Sequence, residues 1–241
     1  MDEKLLESTL VGVTGGLGAY AEYVALAAAT ACPVPDGTTA RDAVAVAAPG
    51  AIALGLLYKA GLEGGETVLV EAGTSSVGTY LVRHAKEFGA GRVIATAGSA
   101  AKRARVSELG ADTSIDHGVA GWPGELPGVD VVFESIGGPS ARQVLDRLTP
   151  GSGRMLYYGL LSGEPAAVRA ADLMERGVTI TGCSGPGWAA EFGTRYPEML
   201  ARLGSGRSEA YIDSTLPLEK AAEAHHRLEN RQATGRILLI V

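Results

Sequence analysis

An alternation of strand and helix signals, which begins at residue 66, is the feature that most constrains how this chain can fold. Six short runs rich in β-branched residues are separated by segments whose apolar residues recur every third or fourth position. Strands linked by such helices form a parallel sheet that is covered on both faces. The sequence therefore predicts an α/β fold with a Rossmann-type, doubly wound sheet of six parallel strands, at 67–71, 92–96, 113–115, 129–134, 153–158 and 178–181.

The segments between these runs predict helices at 77–88, 99–109, 139–148 and 166–176. Glycine stands at 89, 110 and 177, where helix C-terminal caps are expected. Residues 11–35 predict two or three short strands around a glycine-rich turn. Near the other end, 189–204 and 217–230 predict helices, and RILLIV predicts a final strand.

Composition excludes several classes of partner. With 46% hydrophobic residues, 20% charged residues and a formal charge of −6, the chain predicts a soluble globular protein without a nucleic-acid surface. Cys32 and Cys183 are isolated, so neither a metal site nor a disulfide framework is expected. The most apolar stretch, 43–58, is too short to span a bilayer and predicts a buried helix or helix pair. The acidic N-terminal residues do not resemble a secretory signal, and a cytoplasmic location is expected.

The turn in VLVEAGTSSVG (68–78) leads from a predicted strand directly into a predicted helix. Such a turn directs backbone N–H groups towards an anion at the positive end of the helix dipole. The dinucleotide pattern requires small residues at three positions, which are occupied here by Ala72, Ser75 and Gly78. The turn therefore predicts a pyrophosphate site, in which Gly78 permits close packing and the Ser75 hydroxyl can donate a hydrogen bond.

Three other interpretations of this turn compete with a pyrophosphate site. A tight turn without any ligand stays open on the motif alone. A hydrolase nucleophile elbow is disfavoured, because Val77 stands where the final glycine must be. A short-chain dehydrogenase is disfavoured as well, since none of the eight tyrosines has a lysine four residues later.

An ordered series of segments resembles the medium-chain dehydrogenase/reductase superfamily, in particular its zinc-independent quinone oxidoreductase branch. The resemblance covers residues 11 to 241. The segments are GAYAEYV (18–24), VPDG (34–37), AGLEGGETVLVEAGTSSVG (60–78), AKEFGAGRVIATAGSAAKR (85–103), ELGAD (108–112), VDVVFESIGG (129–138), YYGLLSGEP (157–165) and PLEKAAEAHHRLENRQATGRILLIV (217–241).

The resemblance implies a set of cofactor contacts. Ala72, Ser75, Ser76, Val77 and Gly78 are expected at the pyrophosphate. At the end of the second strand the chain offers Thr96-Ala97-Gly98-Ser99, followed by Lys102 and Arg103, in place of the acid that binds an NAD ribose. The exchange of an acid for cations favours a 2′-phosphate and hence NADPH, with Gly98, Ser99 and Lys102 as contacts. An ordinary solvated helix face is the alternative for the two cations.

The remaining expected contacts come from the resemblance position by position. His117 and Arg231 match positions near the adenosine phosphate, although plain surface roles stay open for both. Ser135, Tyr158, Gly159 and Leu160 follow central strands and are expected on the nicotinamide side.

Three departures from the family pattern stand out. Only the last portion of the N-terminal GroES-like barrel is matched, starting near Leu10. The stretch 50–54 replaces the common G-L-T-x-Y, and Ala48 replaces a zinc-ligating cysteine. The expected organisation is a barrel remnant at 1–45, a dinucleotide-binding domain at 46–188, and a C-terminal return at 189–241. Catalytic zinc is not expected.

The resemblance implies an NADPH-dependent reductase of a quinone or an α,β-unsaturated carbonyl, with direct hydride transfer and no protein nucleophile. The competing hypothesis is a scaffold for a non-redox step, such as a cyclisation or isomerisation, or a binding module. An apolar strand at 178–181 on the sheet edge predicts a homodimer. Apolar surface exposed on residues 43–58 is expected to favour association further.

Overall fold

The computed structural model describes residues 8–14 and 18–241 of the chain. The chain divides into two compact units, one formed by residues 53–192 and the other by both chain ends, 1–52 and 193–241. Part of the glycine-rich turn expected within 11–35 lies outside the described residues.

The described residues form ten strands and eight α-helices. The strands are β1 Leu10–Gly12, β2 Ala31–Pro33, β3 Glu66–Val70, β4 Ala90–Ala97, β5 Thr113–Asp116, β6 Val131–Glu134, β7 Arg154–Tyr157, β8 Thr179–Gly182, β9 Ile212–Pro217 and β10 Arg236–Ile240. The α-helices are α1 Ala40–Ala60, α2 Gly78–His84, α3 Ala100–Glu108, α4 Gly138–Leu145, α5 Ala170–Arg176, α6 Gly185–Gly193, α7 Tyr196–Gly204 and α8 Ala221–Glu229. Short 3₁₀ turns occupy Ala28–Thr30, Trp122–Glu125 and Leu218–Lys220.

The unit formed by residues 53–192 contains the predicted sheet. Its six strands are all parallel and lie in the order β5-β4-β3-β6-β7-β8, which confirms the doubly wound fold. The chain moves outwards from β3 to β5, and then returns to the other side of β3 with β6. The boundary between β3 and β6 is therefore the topological switch point, where open α/β sheets bind their ligands.

The core of this unit explains why the strands read as continuous apolar runs. Leu69, Ile94, Val132 and Met155 come from four adjacent strands and are completely buried, together with residues of α4. A parallel sheet is covered on both faces, so its strands lack the polar alternation of half-exposed sheets. The carboxyl edge of the sheet then carries polar residues immediately after these apolar strands.

The unit formed by the chain ends contains two small sheets. Strands β1 and β2 pair antiparallel, and β9 pairs with β10 in parallel. The sequence prediction missed β9, because its segment IDSTLP mixes polar residues with proline and lacks a β-branched apolar run. The single helix predicted at 189–204 is also wrong. The structure ends α6 at Gly193 and begins α7 at Tyr196, with Pro197 in its first turn, where proline is favoured.

The apolar stretch 43–58 belongs to one helix, α1, of 21 residues, with Pro49 inside it. Its length and composition would suffice for a membrane span, but 72% of its most apolar window is buried within the protein, as in a core helix. The expectation that this stretch exposes a broad apolar surface is wrong. Val44 and Tyr58 are its exposed large apolar side chains, whereas Leu54, Leu56 and Leu57 are buried.

An ion-pair cluster around the buried Asp172 carboxylate fixes the start of α5. The Asp172 side chain is 1% exposed, and its carboxylate lies 2.7 Å from the Arg169 guanidinium and 3.3 Å from that of Arg142. The same carboxylate accepts the backbone N–H of Arg169 at 2.8 Å. The hydrogen bonds from the Arg169 side chain and backbone lower the pKa of Asp172 to about 2, from an ordinary value of 3.8.

We expect Asp172→Asn to destabilise the protein at neutral pH, because it removes the charge that both arginines bind. A carboxyl whose pKa is lowered by folding stabilises the fold above its unfolded pKa, and this contribution is lost as the pH falls through the folded value. The stability difference between wild type and variant should therefore shrink between about pH 4 and pH 2. Urea unfolding as a function of pH measures it.

Asp146→Asn is the matched control, since Asp146 pairs with the same Arg142 but its side chain is 50% exposed. It should cost less than Asp172→Asn at neutral pH, where both carboxylates are charged. Equal effects of the two substitutions would contradict the assignment of the buried carboxylate as the stabilising member.

Candidate functional site

The candidate site lies at the carboxyl edge of the six-stranded sheet, around the switch point between β3 and β6. The loops that follow β3, β4, β5, β6 and β7 all emerge at this edge, because the five strands are parallel. Thirteen of the fourteen predicted contacts lie on or next to these loops, within the unit formed by residues 53–192. The exception, Arg231, belongs to the other unit, where it follows α8 in a left-handed conformation with φ of 55°.

The turn after β3 is held in a strained conformation by the end of β4. Ala72 has φ of 49°, a left-handed value that is uncommon for residues other than glycine. Its N–H donates to the Thr96 hydroxyl at 3.0 Å, and the Gly73 N–H donates to the Thr96 carbonyl at 2.8 Å. These two hydrogen bonds position the turn before α2 begins.

Ser75 caps the start of α2. Its hydroxyl oxygen accepts the Gly78 N–H at 3.1 Å, and its carbonyl accepts the Thr79 N–H at 3.0 Å. The serine that replaces a glycine of the dinucleotide pattern thus satisfies a helix N–H, and its hydroxyl proton remains available to a ligand. Among the described residues, none accepts a hydrogen bond from the backbone N–H of Ser76 or Val77, and both residues are partly exposed.

Gly78 is required by close contact. A Cβ at this position would lie 2.4 Å from the Ala72 carbonyl oxygen and 2.9 Å from the Ser75 hydroxyl. The Ala72 carbonyl oxygen and the Gly73 Cα, at 3.0 Å, are backbone atoms of the turn, so they cannot yield as the end of a flexible side chain could. The predicted close approach at Gly78 is therefore present, but it is made with the turn itself.

Thr96, at the end of β4, joins three loops and is completely buried. Besides its bonds to the turn, its hydroxyl lies 3.0 Å from Nδ1 of His117, the residue that follows β5. The imidazole covers Gly98, where a Cβ would lie 2.9 Å from Nε2. The Ser99 hydroxyl then caps α3 by accepting the Lys102 N–H at 3.3 Å. His117, Gly98 and Ser99 therefore lie together beside the turn.

The two cations on α3 differ in their surroundings. Arg103 forms an ion pair with Asp116, which is the last residue of β5. The pKa of Asp116 is lowered, first by the Gly118 N–H and then by Arg103. Arg103 therefore has a protein carboxylate as a partner, and its part in binding a 2′-phosphate stays a prediction. Lys102 lies in the first turn of α3 and is partly exposed.

Residues after β6 and β7 approach each other closely. The Leu161 N–H donates to the Ser135 carbonyl at 2.9 Å, and a Cβ on Gly159 would lie 2.8 Å from that carbonyl oxygen. The hydroxyl of Tyr158 is buried near Ser135, and burial raises its pKa. Leu160 is 48% exposed. The structure therefore brings Ser135, Tyr158, Gly159 and Leu160 together at the carboxyl ends of β6 and β7, and their contact with a nicotinamide stays a prediction.

The sequence interpretation missed two carboxyl groups at the centre of this edge. Glu71 follows β3, Glu134 ends β6, and both are completely buried. Burial and the neighbouring Glu134 carboxyl raise the pKa of Glu71 well above its ordinary value of 4.5. The available signal was an acid at the end of each apolar run, TVLVE and VDVVFE.

Comparisons with known proteins agree with this geometry. Residues 76–204 match the model of the zinc-binding dehydrogenase family. The quinone oxidoreductase of Pseudomonas aeruginosa is 30% identical over 238 residues, which cover 94% of this chain and 73% of that protein. Two crystal structures are also similar. An NAD-dependent alcohol dehydrogenase is 33% identical with a TM-score of 0.83, and the match covers 93% of this chain and 65% of that one. The Escherichia coli quinone oxidoreductase complexed with NADPH is 27% identical with a TM-score of 0.78, covering 88% and 68%.

The sheet order, the turn after β3 and these matches define a nicotinamide-dependent dehydrogenase or reductase with a Rossmann domain. More narrowly, the chain belongs to the medium-chain dehydrogenase/reductase superfamily, in its zinc-independent quinone oxidoreductase branch. It is accordingly an oxidoreductase of a family whose structures bind NADPH.

Gly78→Ala should destabilise the protein by about 1–3 kcal/mol, because the added methyl group meets fixed backbone atoms. Thermal unfolding measures the effect. Gly128→Ala is the control, since a Cβ there meets nothing within 4 Å and the residue has no left-handed φ. Equal melting temperatures for Gly78→Ala and wild type would contradict the close packing of the turn.

Proposed function

We propose that this protein binds NADPH in the crevice at the carboxyl edge of its sheet and reduces a quinone or an α,β-unsaturated carbonyl compound. The observation that carries the proposal is the pair of N–H groups of Ser76 and Val77, which lack an acceptor among the described residues. Unpaired N–H groups in a turn that leads into a helix suit the oxygens of a pyrophosphate. Ala72, Ser75 and Gly78 shape that turn.

NADPH is preferred to NADH in this proposal because of the chemistry at the end of β4. An acidic residue at this position would bind the ribose hydroxyls of NAD and repel a 2′-phosphate. Thr96 is uncharged, buried and already bonded to His117. It therefore neither binds the ribose hydroxyls of NAD nor repels a 2′-phosphate. Gly98, Ser99 and the Lys102 ammonium group are then the contacts for the 2′-phosphate, and His117 and Arg231 are proposed near the adenosine phosphates.

The protein supplies orientation and exclusion of water. Bound NADPH provides a hydride for the substrate, which is why no nucleophilic side chain is needed. Ser135, Tyr158, Gly159 and Leu160 would border the nicotinamide side, where the Tyr158 hydroxyl stays protonated because of its burial. The proton that completes reduction of the substrate comes from solvent in this scheme.

Thermal unfolding with each nucleotide tests the cofactor. A ligand at a hundred times its dissociation constant stabilises the folded state by about 2.7 kcal/mol. We expect NADPH to raise the melting temperature at concentrations where NADH does not. Lys102→Glu should abolish this preference, because it places a negative charge beside the 2′-phosphate, whereas Lys86→Glu, on a different segment, should keep it.

No stabilisation by either nucleotide would contradict the proposal. It would favour the competing hypothesis, in which the scaffold supports a non-redox cyclisation or isomerisation, or binds a partner. The replacement of G-L-T-x-Y by the residues 50–54 is the sequence feature that motivates this alternative.

We also propose a cytoplasmic homodimer that pairs through β8. This strand is at the edge of the sheet, and its residues Thr179 and Gly182 are exposed. The N–H groups of Thr179 and Cys183 donate inwards to β7, at 3.1 and 2.8 Å, so by strand alternation the N–H of Ile180 faces outwards. A second copy could use that N–H in a continued sheet.

Ile180→Pro should shift the protein towards monomer, because proline removes the outward N–H without breaking a bond to β7. Ile180→Val keeps the N–H and should remain dimeric. Light scattering after size-exclusion chromatography measures the mass of each. A wild type that is monomeric at micromolar concentration would refute the dimer.

A further inference from the structure

The two buried carboxyl groups at the switch point are neighbours by strand register. Strands β3 and β6 pair Val70 with Phe133, so the next residues, Glu71 and Glu134, occupy adjacent positions in the same row across the sheet. Side chains at matching positions of a parallel pair leave the sheet on the same face. Both glutamates have no exposed surface. Two carboxyl groups therefore lie side by side in a space closed to solvent.

The two carboxyl groups differ in their hydrogen-bond partners. One carboxyl oxygen of Glu134 accepts the backbone N–H groups of Ile136 at 2.7 Å and Gly137 at 2.8 Å. These two hydrogen bonds orient the Glu134 carboxyl towards the loop that follows β6. The other oxygen of Glu134 and both oxygens of Glu71 have no hydrogen-bond partner of good geometry among the described residues. Among the described residues, neither acid forms an ion pair with a cationic side chain.

We propose that Glu71 and Glu134 share one proton, carried by Glu71, and that this pair is a positioning device for the loop 135–137 at the base of the crevice. Two ionised carboxylates in contact and away from water repel each other strongly, as in other carboxyl pairs that hold a single proton. The shared proton removes one charge and lets Glu71 donate to the free oxygen of Glu134. The other oxygen of Glu134 then keeps its bonds to Ile136 and Gly137.

The loop held by Glu134 is bonded in turn to the loop after β7. The Ile136 carbonyl accepts the Ser162 N–H at 2.8 Å, and the Ser135 carbonyl accepts that of Leu161 at 2.9 Å. A change in the carboxyl pair therefore acts on both loops that form the proposed nicotinamide wall. This part of the inference rests on the proposed function and names the residues that keep its site in place.

Few other titratable groups face the pair. Tyr158, after β7, interacts with both carboxyls, and burial keeps its hydroxyl protonated in the range considered. On the β4 side the row continues with the uncharged Thr96. An acid whose folded pKa is raised stabilises the fold below its unfolded pKa, and this contribution is lost as the pH rises towards the folded value. A rise in pH that ionises Glu71 in the folded protein is therefore expected to weaken the loop.

Two measurements without nucleotide test the shared proton in the 241-residue chain. Infrared spectra of wild type at neutral pH should contain the C=O band of a protonated carboxyl group, which Glu71→Gln removes. Between the ordinary pKa of the Glu71 carboxyl and its raised pKa in the folded protein, the folding equilibrium constant of wild type should fall by about tenfold per pH unit relative to Glu71→Gln. Glu108→Gln, at a side chain that is 64% exposed, is the control and should behave as wild type.

Hydrogen exchange tests the positioning role. Protection of the Ile136 and Gly137 amides, corrected for base catalysis, should decrease with rising pH in wild type and stay constant in Glu71→Gln, whose neutral amide replaces the protonated acid. An absent carboxyl band with identical pH profiles for wild type and Glu71→Gln would overturn the shared proton. A band with protection that is independent of pH would overturn the positioning role.

Nucleotide titration separates this inference from the proposed function. The dissociation constant for NADPH should increase at alkaline pH in wild type, by up to about tenfold per pH unit, and remain constant in Glu71→Gln. Failure of NADPH to bind either protein would refute the cofactor proposal, while the infrared and exchange results would still decide the role of the pair. Binding with the same pH dependence in both proteins would overturn the link between the pair and the crevice.

Discussion

The parallel pairing of β3 with both β4 and β6 is the constraint on which the rest of the site depends. This pairing places Glu71 in register with Thr96 on one side and with Glu134 on the other. Loops that are distant in sequence then start from one edge, and backbone hydrogen bonds of the sheet determine their spacing. The apolar strands stabilise this edge by burying side chains on both faces. The polar chemistry of the crevice is thus carried by a rigid scaffold.

Along that edge, buried polar groups replace the glycines and acids of the ordinary dinucleotide pattern. Thr96 bonds to the turn after β3 and to His117, and Ser75 bonds to Gly78. Each bond satisfies a group that would otherwise be costly to bury. The cost of a turn with Ala72 in a left-handed conformation is offset by the same bonds. Glu71 and Glu134 extend this row towards the loops after β6 and β7, so one polar layer connects both sides of the switch point.

The sequence predicts most of the unit formed by residues 53–192, because the signals for its strands, helices and turns lie within short segments of the chain. The apolar runs, the small residues from Ala72 to Gly78 and the glycines after the helices each act within a few positions, and they agree with one another. The helices predicted at 77–88 and 166–176 are longer than α2 and α5, since the chain forms a turn at 85–89 and is irregular at 166–169. In the unit formed by the chain ends, β9 exists because β10 pairs with it, and its own residues favour no strand.

By itself, the sequence determined the class of fold, the position of the turn and the absence of an acid at the end of β4, because these depend on residue type and spacing along the chain. Only the tertiary structure decided which charged groups act together. It paired Arg103 with Asp116, and it placed Glu71 beside Glu134 in a space closed to solvent. Strand order and register decide such encounters, since electrostatic energies depend on distance and burial in space. Residues that are far apart in the chain become neighbours only after the sheet has formed.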